Sequence, residues 1–389
     1  MPIVSAELKQ PTPSTLALHR AAILIDTHVD TIQRAVDLGH DLVHANPSGF
    51  MDLERMKAGN MTAAFFAVCV DYNNIRRGTG RQRQDTLLHA VLQLCRENPD
   101  RIGLAKTAAD VRRLAREGKL AAILSVEGAQ AIEERLELLP ELWDHGVRSI
   151  APAHFTSNGW ADSSADEPRH GGLSALGRKA IAEINRLGMI IDVSHISDDA
   201  FWQVLELSTA PVFASHSSAR ALHDHPRNLT DDMIKAIAAR DGIVGITWFP
   251  EYVSRPHQLA LEAKARTIDL KALGFDPGGP GMPAIATLMR SCGSDMNAKY
   301  NVMMTEGLPM PTVDMIVEQV AYVAGLIGAD RVCLGSDHGA VRFDIPGFED
   351  CTKFPVLTQA LRDHGFSDTD VHNILGENVL RLMERVIGA

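Results

Sequence analysis

The feature that most limits the possible folds is a set of eight short apolar runs, rich in β-branched residues, that recur along the chain. They lie at 21–26, 62–70, 121–126, 148–153, 189–194, 211–215, 242–248 and 331–336. Their continuous apolar character, without strict alternation, is typical of strands that are buried on both faces. The pattern therefore predicts eight buried strands in a parallel sheet.

Helical patterns, with apolar residues at three- and four-residue spacing, separate most of these runs and follow the last one. They lie at 83–98, 172–188, 198–207, 231–240, 354–365 and 367–386. Strands that alternate with helices predict a parallel sheet, and eight is the number of strands that closes a (β/α)₈ barrel. A doubly wound open sheet is the alternative, but no GxGxxG opens a helix and no GxxxxGK[ST] occurs. The predicted fold class is therefore α/β, as a (β/α)₈ TIM barrel with closing C-terminal helices.

The stretch 249–312, after the seventh run, has little periodicity and contains the glycine- and proline-rich segment 276–283. It is long for a barrel loop, so we predict an insertion with short helices of its own. The chain shows no internal repeat and no low-complexity tract. We interpret residues 1–389 as a single domain that carries this insertion.

Charge and cysteine usage narrow the function classes. The net charge of −11 argues against nucleic acid as a general partner. The five cysteines are odd in number and form no CxxC pair, a pattern that favours reduced thiols in a reducing compartment. We see neither a secretory signal nor an apolar stretch long enough to cross a membrane. We therefore expect a cytoplasmic protein with no membrane partner.

Imidazole and carboxylate side chains follow the ends of six of the eight runs. They are His28 and Asp30 after the first run, Glu127 after the third, His154 after the fourth, His195 after the fifth, His216 after the sixth and Asp337 after the eighth. In a parallel barrel these ends face one mouth, so the side chains should converge there. Any one of the 16 histidines would by itself more often be a surface or structural residue. The coincidence at separate strand ends is what predicts a site.

The chemistry of this set favours metal ions. His28 and Asp30 are two residues apart, so on an extended strand their side chains point to the same side and can share one cation. His195 and His216, from adjacent strands, could hold a second cation, and the carboxylate of Glu127 could bridge the two. Nitrogen and oxygen ligands suit zinc first, with manganese, iron or cobalt as alternatives.

Six motifs carry a family resemblance. They are IDTHVDT, SVEGAQ, IDVSHIS, ASHSSARAL, GSD and ILGENVLRL. In their order, spacing and strand context, the chain from about residue 20 to 386 resembles the membrane dipeptidase (renal dipeptidase) family of the amidohydrolase superfamily. The resemblance implies a (β/α)₈ barrel with two Zn²⁺ ions that hydrolyses dipeptides through a metal-bridging hydroxide. It also implies a homodimer, and it leaves open whether the C-terminal residue of the substrate can be a D-residue.

The resemblance also implies a role for each site residue. His28 and Asp30 match the ligands of one zinc ion, His195 and His216 match those of the other, and Glu127 matches the bridging glutamate. His154 matches the histidine that contacts the scissile carbonyl, and Arg227 in HPRNLTDD matches the arginine that holds the substrate carboxylate. Asp337 matches the acid/base aspartate.

One motif departs from the family pattern. Members often have a DFDG-like stretch at the end of the eighth strand, whereas this chain has DHGA at 337–340. Asp337 is retained, the second acidic residue is missing, and His338 is present instead.

Two alternatives to a dipeptidase stay open: another binuclear amidohydrolase that acts on a lactam, lactone or N-acyl amino acid, and a non-catalytic member of the family.

Overall fold

Parallel strands close into a barrel in the structure, a computed structural model that describes residues 9–46, 49–70, 72–274, 283–291, 307–339 and 344–388. The strands are β1 (Ile25–Val29), β2 (Ala63–Cys69), β3 (Ile102–Leu104), β4 (Leu120–Glu127), β5 (Val147–Ala151), β6 (Ile190–Ile191), β7 (Phe213–Ser217), β8 (Ile243–Ile246) and β9 (Val332–Leu334). Hydrogen-bonded neighbours follow the order β6-β5-β4-β2-β1-β9-β8-β7. A parallel bridge between Asp192 and Phe213 joins β6 to β7 and closes the ring. The predicted (β/α)₈ barrel is confirmed.

Each of the eight predicted runs forms one barrel strand, and the sequence pattern misses only β3 among the strands of the described residues. This strand pairs with the first part of β4, from Leu120 to Ala122, whereas β5 pairs with β4 from Leu124 onward. Three residues make too short an apolar run to be separated from a loop by periodicity.

Helices flank the strands. They are α1 (Pro13–Ala21), α2 (Thr31–Leu38), α3 (Leu53–Ala58), α4 (Tyr72–Arg77), α5 (Gly80–Glu97), α6 (Ala108–Arg116), α7 (Leu139–His145), α8 (Ala175–Leu187), α9 (Asp198–Leu207), α10 (Asp231–Ala239), α11 (Pro250–Val253), α12 (Arg255–Ala265), α13 (Ala284–Ser291), α14 (Val313–Ile327), α15 (Phe354–Asp363), α16 (Asp368–His372) and α17 (Asn378–Val386). A π-helical turn, Asn373–Glu377, joins α16 to α17. The predicted helices correspond to α5, α8, α9, α10, α15 and the pair α16–α17.

The barrel strands are buried on both faces, as their apolar character predicts. Phe65 of β2 contacts Phe213 of β7 across the barrel, with ring centroids 5.8 Å apart, so this set of side chains fills the interior. The next residue, Phe66, belongs to the outer core cluster, as do Leu87 and Val91 of α5. The polar side chains of the candidate site gather towards the carboxyl ends of the strands, beyond these apolar layers.

The stretch 249–312 contains α11, α12 and α13 in its described part, which confirms the predicted short helices there. Leu261 of α12 and Leu288 of α13 belong to the outer core cluster. Residues 275–282, with most of the glycine- and proline-rich segment, and residues 292–306 lie outside the described residues. The single-domain interpretation stays a prediction.

Among the described residues, no helix combines the length and the apolar composition that crossing a membrane requires.

Candidate metal centre

The seven predicted side chains meet at the carboxyl ends of the barrel strands, in a cluster that we call the cup. Its members are His28, Asp30, Glu127, His154, His195, His216 and Asp337. His28 and His216 lie within β1 and β7, Glu127 ends β4, and the other four follow β1, β5, β6 and β9. Asp337 is partly exposed, and the other six are buried.

Glu127 lies at the centre of the cup. Its Oε1 atom is 2.9 Å from Nε2 of His195, 3.4 Å from Nε2 of His216 and 3.5 Å from Nε2 of His28. Nε2 of His154 is 3.7 Å away from the same oxygen. One carboxylate oxygen therefore faces four imidazole rings from four different strand ends.

The two remaining carboxylates lie beside His28. Oδ2 of Asp30 is 3.8 Å from Nε2 of His28. Asp337 has a ligand atom within 4.8 Å of ligand atoms of both His28 and His216. Gln33, in the first turn of α2, donates a hydrogen bond of 2.9 Å to the other oxygen of Asp30 and so orients that carboxylate.

A hydrogen-bonded chain behind His216 sets its tautomer. The hydroxyl of Ser215 donates to Asp192 and lies 2.7 Å from Nδ1 of His216. Because its proton is given to the aspartate, the hydroxyl accepts from Nδ1–H, which leaves the lone pair of His216 on Nε2. That nitrogen lies 2.9 Å from Nε2 of His195, so both atoms face the same small space.

Two cup residues have unusual backbone conformations. His195 and Asp337 have φ angles of 71° and 63°, in the left-handed region that side-chain-bearing residues rarely adopt. Local contacts hold both: the His195 carbonyl accepts from Ser164 at 2.8 Å, and the Asp337 amide donates to the His28 carbonyl at 3.1 Å. Such strain is characteristic of functional sites, where the surrounding structure over-determines one conformation.

The charges in the cup suit cation binding. Burial opposes ionisation of Glu127, but His154 and His28 outweigh it and hold its pKa well below the ordinary value. Burial, with repulsion from nearby positive groups such as Arg227, lowers the pKa of His195 and of His216. An ionised carboxylate beside two neutral imidazoles is the state in which these groups bind metal.

The carboxylates of Asp30 and Asp337 lie close to the charge of Glu127. Burial and the charge of Glu127 raise the pKa of Asp30 to about 8 and that of Asp337 to about 6. Burial disfavours the charged form of His28, but Glu127, Asp30 and Asp337 outweigh it and raise its pKa to about 10. Negative charge is thus in excess around His28, as expected where cations bind.

The residues present fit a divalent metal centre. Within the described residues, neither ring nitrogen of His28 nor Nδ1 of His195 has a hydrogen-bond partner, although all three are buried. Two ligand groups with atoms within 4.8 Å of one another share Glu127: one adds His28 and Asp30, and the other adds His195 and His216. Imidazole nitrogens with carboxylate oxygens are a donor set that zinc prefers.

The structure also explains the DHGA departure. Gly339 has a φ of 130°, and a Cβ atom there would lie 2.1 Å from the amide nitrogen of Thr31, so no acidic side chain fits at this position. The His338 ring is buried and accepts a hydrogen bond of 3.0 Å from Nε1 of Trp248. Its carbonyl accepts from the Asp30 amide at 2.8 Å, so this segment supports the end of β1.

Arg227 lies beside the end of β7, the strand that carries His216. Its guanidinium donates to the carbonyl of His216 at 2.7 Å and to the hydroxyl of Ser217 at 2.8 Å. It is buried, it lies 5.6 Å from the ring centroid of Tyr252, and its Nε has no hydrogen-bond partner within the described residues. The predicted anchor is therefore attached to the strand that carries His216.

Sequence reasoning missed Cys69 and the supporting residues Gln33, Ser215 and Trp248. Cys69 ends β2, and its Sγ is 3.4 Å from Nδ1 of His154. Its position near the end of the second apolar run, 62–70, is the signal in the sequence that could have found it. The supporting residues carry no pattern that a single sequence would show.

Comparisons with known proteins identify one family. The family model described as membrane dipeptidase (peptidase family M19) matches residues 14–388. The dipeptidase aclJ of Aspergillus oryzae is 31% identical over 360 residues, which cover 90% of this chain and 72% of the relative. The dipeptidase tcpJ of Claviceps purpurea is 30% identical over 350 residues, with 87% and 70% covered.

A solved structure shows the same architecture. The probable dipeptidase PvdM from Pseudomonas aeruginosa superposes with a TM-score of 0.82 at 29% identity, over 96% of this chain and 97% of the other. The region 249–312 lies within the limits of the family-model match.

Proposed function

Since the chain belongs to the membrane dipeptidase family, peptidase family M19, we propose that this hydrolase cleaves the peptide bond of dipeptides with two zinc ions bound in the cup. The observation that carries the proposal is the position of Glu127, whose Oε1 lies 2.9–3.5 Å from Nε2 of three histidines. The names of the relatives from Aspergillus oryzae and Claviceps purpurea support a dipeptide as the substrate.

In this proposal His28 and Asp30 would hold one zinc ion, His195 and His216 would hold the other, and Glu127 would be a ligand common to both. When bound, the two cations would lower the pKa of a water molecule and polarise the peptide carbonyl. Manganese, iron or cobalt would suit the same donors. The hydrogen bonds of Ser215 with Asp192 and His216 keep the lone pair of His216 on Nε2, which faces the cup. The protein itself therefore prepares this nitrogen for a cation.

Asp337 is the proposed acid/base group. It lies within the cup, yet it is partly exposed, so it can meet both the attacking water and the substrate. It would take a proton from that water and deliver it to the nitrogen of the leaving amine. The left-handed backbone of Asp337 and the hydrogen bond that its backbone N–H donates to the carbonyl of His28 hold the residue in this position.

His154 and Arg227 are the proposed substrate contacts. Nε2 of His154 faces the cup, where it can donate to the carbonyl oxygen as negative charge develops there. Arg227 keeps Nε and the second hydrogens of its terminal nitrogens for the free α-carboxylate of a dipeptide, in a two-pronged pair. Such an anchor excludes longer peptides, because their chain continues where the carboxylate should end.

Metal analysis and a substrate panel test the proposal. The purified protein should retain about two zinc ions per chain, the number implied by two tetrahedral-type donor groups. It should hydrolyse free dipeptides, including those with a D-residue at the C-terminal position, and leave the matching C-terminal amides almost untouched. Hydrolysis of amides and free acids at equal rates would contradict the Arg227 anchor.

The same panel separates the competing chemistry. It should include a lactam, a lactone and N-acyl amino acids, because another binuclear amidohydrolase could use the same donors. Turnover of one of these without turnover of any dipeptide would replace the proposed substrate class. The proposal also includes a homodimer, which light scattering tests, and a cytoplasmic location, which cell fractionation tests.

A further inference from the structure

Cys69 is a member of the site for which the proposed mechanism has no role. It ends β2 and pairs in parallel register with Glu127 at the end of β4. It is buried, and together with Glu127 and His154 it forms a group whose ligand atoms lie within 4.8 Å of one another. Its Sγ lies 3.4 Å from Nδ1 of His154.

We propose that Cys69 is a positioning residue, whose thiol orients the imidazole of His154 so that a protonated Nε2 faces the substrate carbonyl. The inference rests on the proposed function, in which His154 donates to that carbonyl. The ring has its two nitrogens on opposite sides: Nδ1 faces the thiol, and Nε2 faces Glu127 at 3.7 Å.

The flanking rings alone do not choose this orientation. His154 lies between Phe155, with ring centroids 4.1 Å apart, and His195, with centroids 4.5 Å apart. These contacts hold the plane of the imidazole, but the torsion that flips such a ring is broad and roughly two-fold. A hydrogen-bond partner beside Nδ1 stabilises one of the two flipped orientations over the other. The Cys69 thiol lies where it can be that partner.

The position of the proton follows from the same contact. If the thiol donates to Nδ1, the neutral imidazole carries its proton on Nε2. The other neutral tautomer would use sulfur as a weak acceptor and turn the Nε2 lone pair towards the Glu127 oxygen, 3.7 Å away, which is unfavourable. Nε2 is therefore the donor nitrogen of the ring in the favoured tautomer.

Three variants test the inference. Cys69→Ala should lower kcat for a dipeptide by about 10- to 100-fold with little change in KM, because the donor is displaced but not removed. Cys69→Ser retains a donor and should recover part of the loss. Cys333→Ala, at a buried cysteine in the middle of β9, is the matched control and should keep wild-type kcat. Unchanged kcat in Cys69→Ala, or a loss that appears only in KM, would overturn the proposal.

A measurement without turnover separates this inference from the proposed function. Nitrogen-15 spectra of the histidine-labelled metal-loaded protein, with His154 assigned through His154→Gln, should show a protonated Nε2 in the wild type and a changed Nδ1 signal in Cys69→Ala. If the wild type cleaves no dipeptide, the proposed function fails while these spectra still decide the orientation. Identical His154 signals in both proteins would refute it. So would a third zinc ion retained by the wild type and lost in Cys69→Ser, because the thiol would then be a metal ligand.

Discussion

Replacement of Gly339 by alanine should destabilise the protein and weaken its metal site. The φ of 130° costs a residue with a side chain about 1–3 kcal/mol. The added Cβ would also lie 2.1 Å from Thr31 N and 2.6 Å from the carbonyl carbon of Asp30, and relief of that overlap costs about another 1–3 kcal/mol. With about 0.8 kcal/mol/K of unfolding entropy for 389 residues, the sum lowers the melting temperature by about 2–7 °C.

Gly365→Ala provides the control for this prediction. Gly365 also has a positive φ, 91°, but a Cβ there would meet nothing within 4 Å. The Gly365→Ala variant should therefore bear only the cost of the positive φ, without the overlap cost, and its melting temperature should fall by about 1–4 °C. The assays are thermal denaturation and zinc titration, in which only Gly339→Ala should bind more weakly, because Asp30 is displaced. Equal melting temperatures and equal zinc affinity in the two variants would refute the close packing of Gly339 against β1.

Four further outcomes follow from the same structure. Asp337→Asn should retain zinc but lose about 10²- to 10⁴-fold in kcat, as measured by dipeptide hydrolysis alongside metal analysis. Arg227→Ala should raise KM for free dipeptides far more than for their C-terminal amides. Burial raises the pKa of Glu251 from 4.5 to about 7, so its ionisation opposes folding. The free energy of unfolding should therefore fall by about 3 kcal/mol as pH rises through this window, and denaturant titrations of Glu251→Gln should lack that fall. Removal of metal by a chelator should abolish hydrolysis and lower the melting temperature, and added zinc should restore both.

Much of the fold was predictable because the strands are buried on both faces. Their side chains alternate between the barrel interior and the helix layer, and both environments are apolar, so each strand is a continuous apolar run. β3 escapes prediction because it contributes three residues beside one part of β4. The segment 249–312 shows its helices less clearly, since α11 has only four residues.

The chemistry of the cup was predictable for a related reason. An imidazole or a carboxylate at the end of an apolar run breaks the pattern of a core strand, so His28, Glu127 and His216 are conspicuous in the sequence. The left-handed backbone of His195 and Asp337 is not readable from either residue type. Cys69 is hidden because a cysteine inside an apolar run is usually a small core residue.

The hydrogen bonds that hold the proposed metal ligands in place show why a single sequence does not predict how those ligands are oriented. Asp26 accepts hydrogen bonds from the His28 amide on its own strand at 3.1 Å and from Ser336 after β9 at 2.9 Å. Asp192 repeats the arrangement, with the Ser194 amide after β6 and the Ser215 amide of β7, both at 2.9 Å. Each aspartate thus joins two neighbouring strand ends, one beside each proposed metal position. Their partners lie 310 and 23 residues away in sequence, so these joints exist only once the barrel has closed. The ligand types can therefore be read along the chain, whereas their orientation is a property of the closed ring.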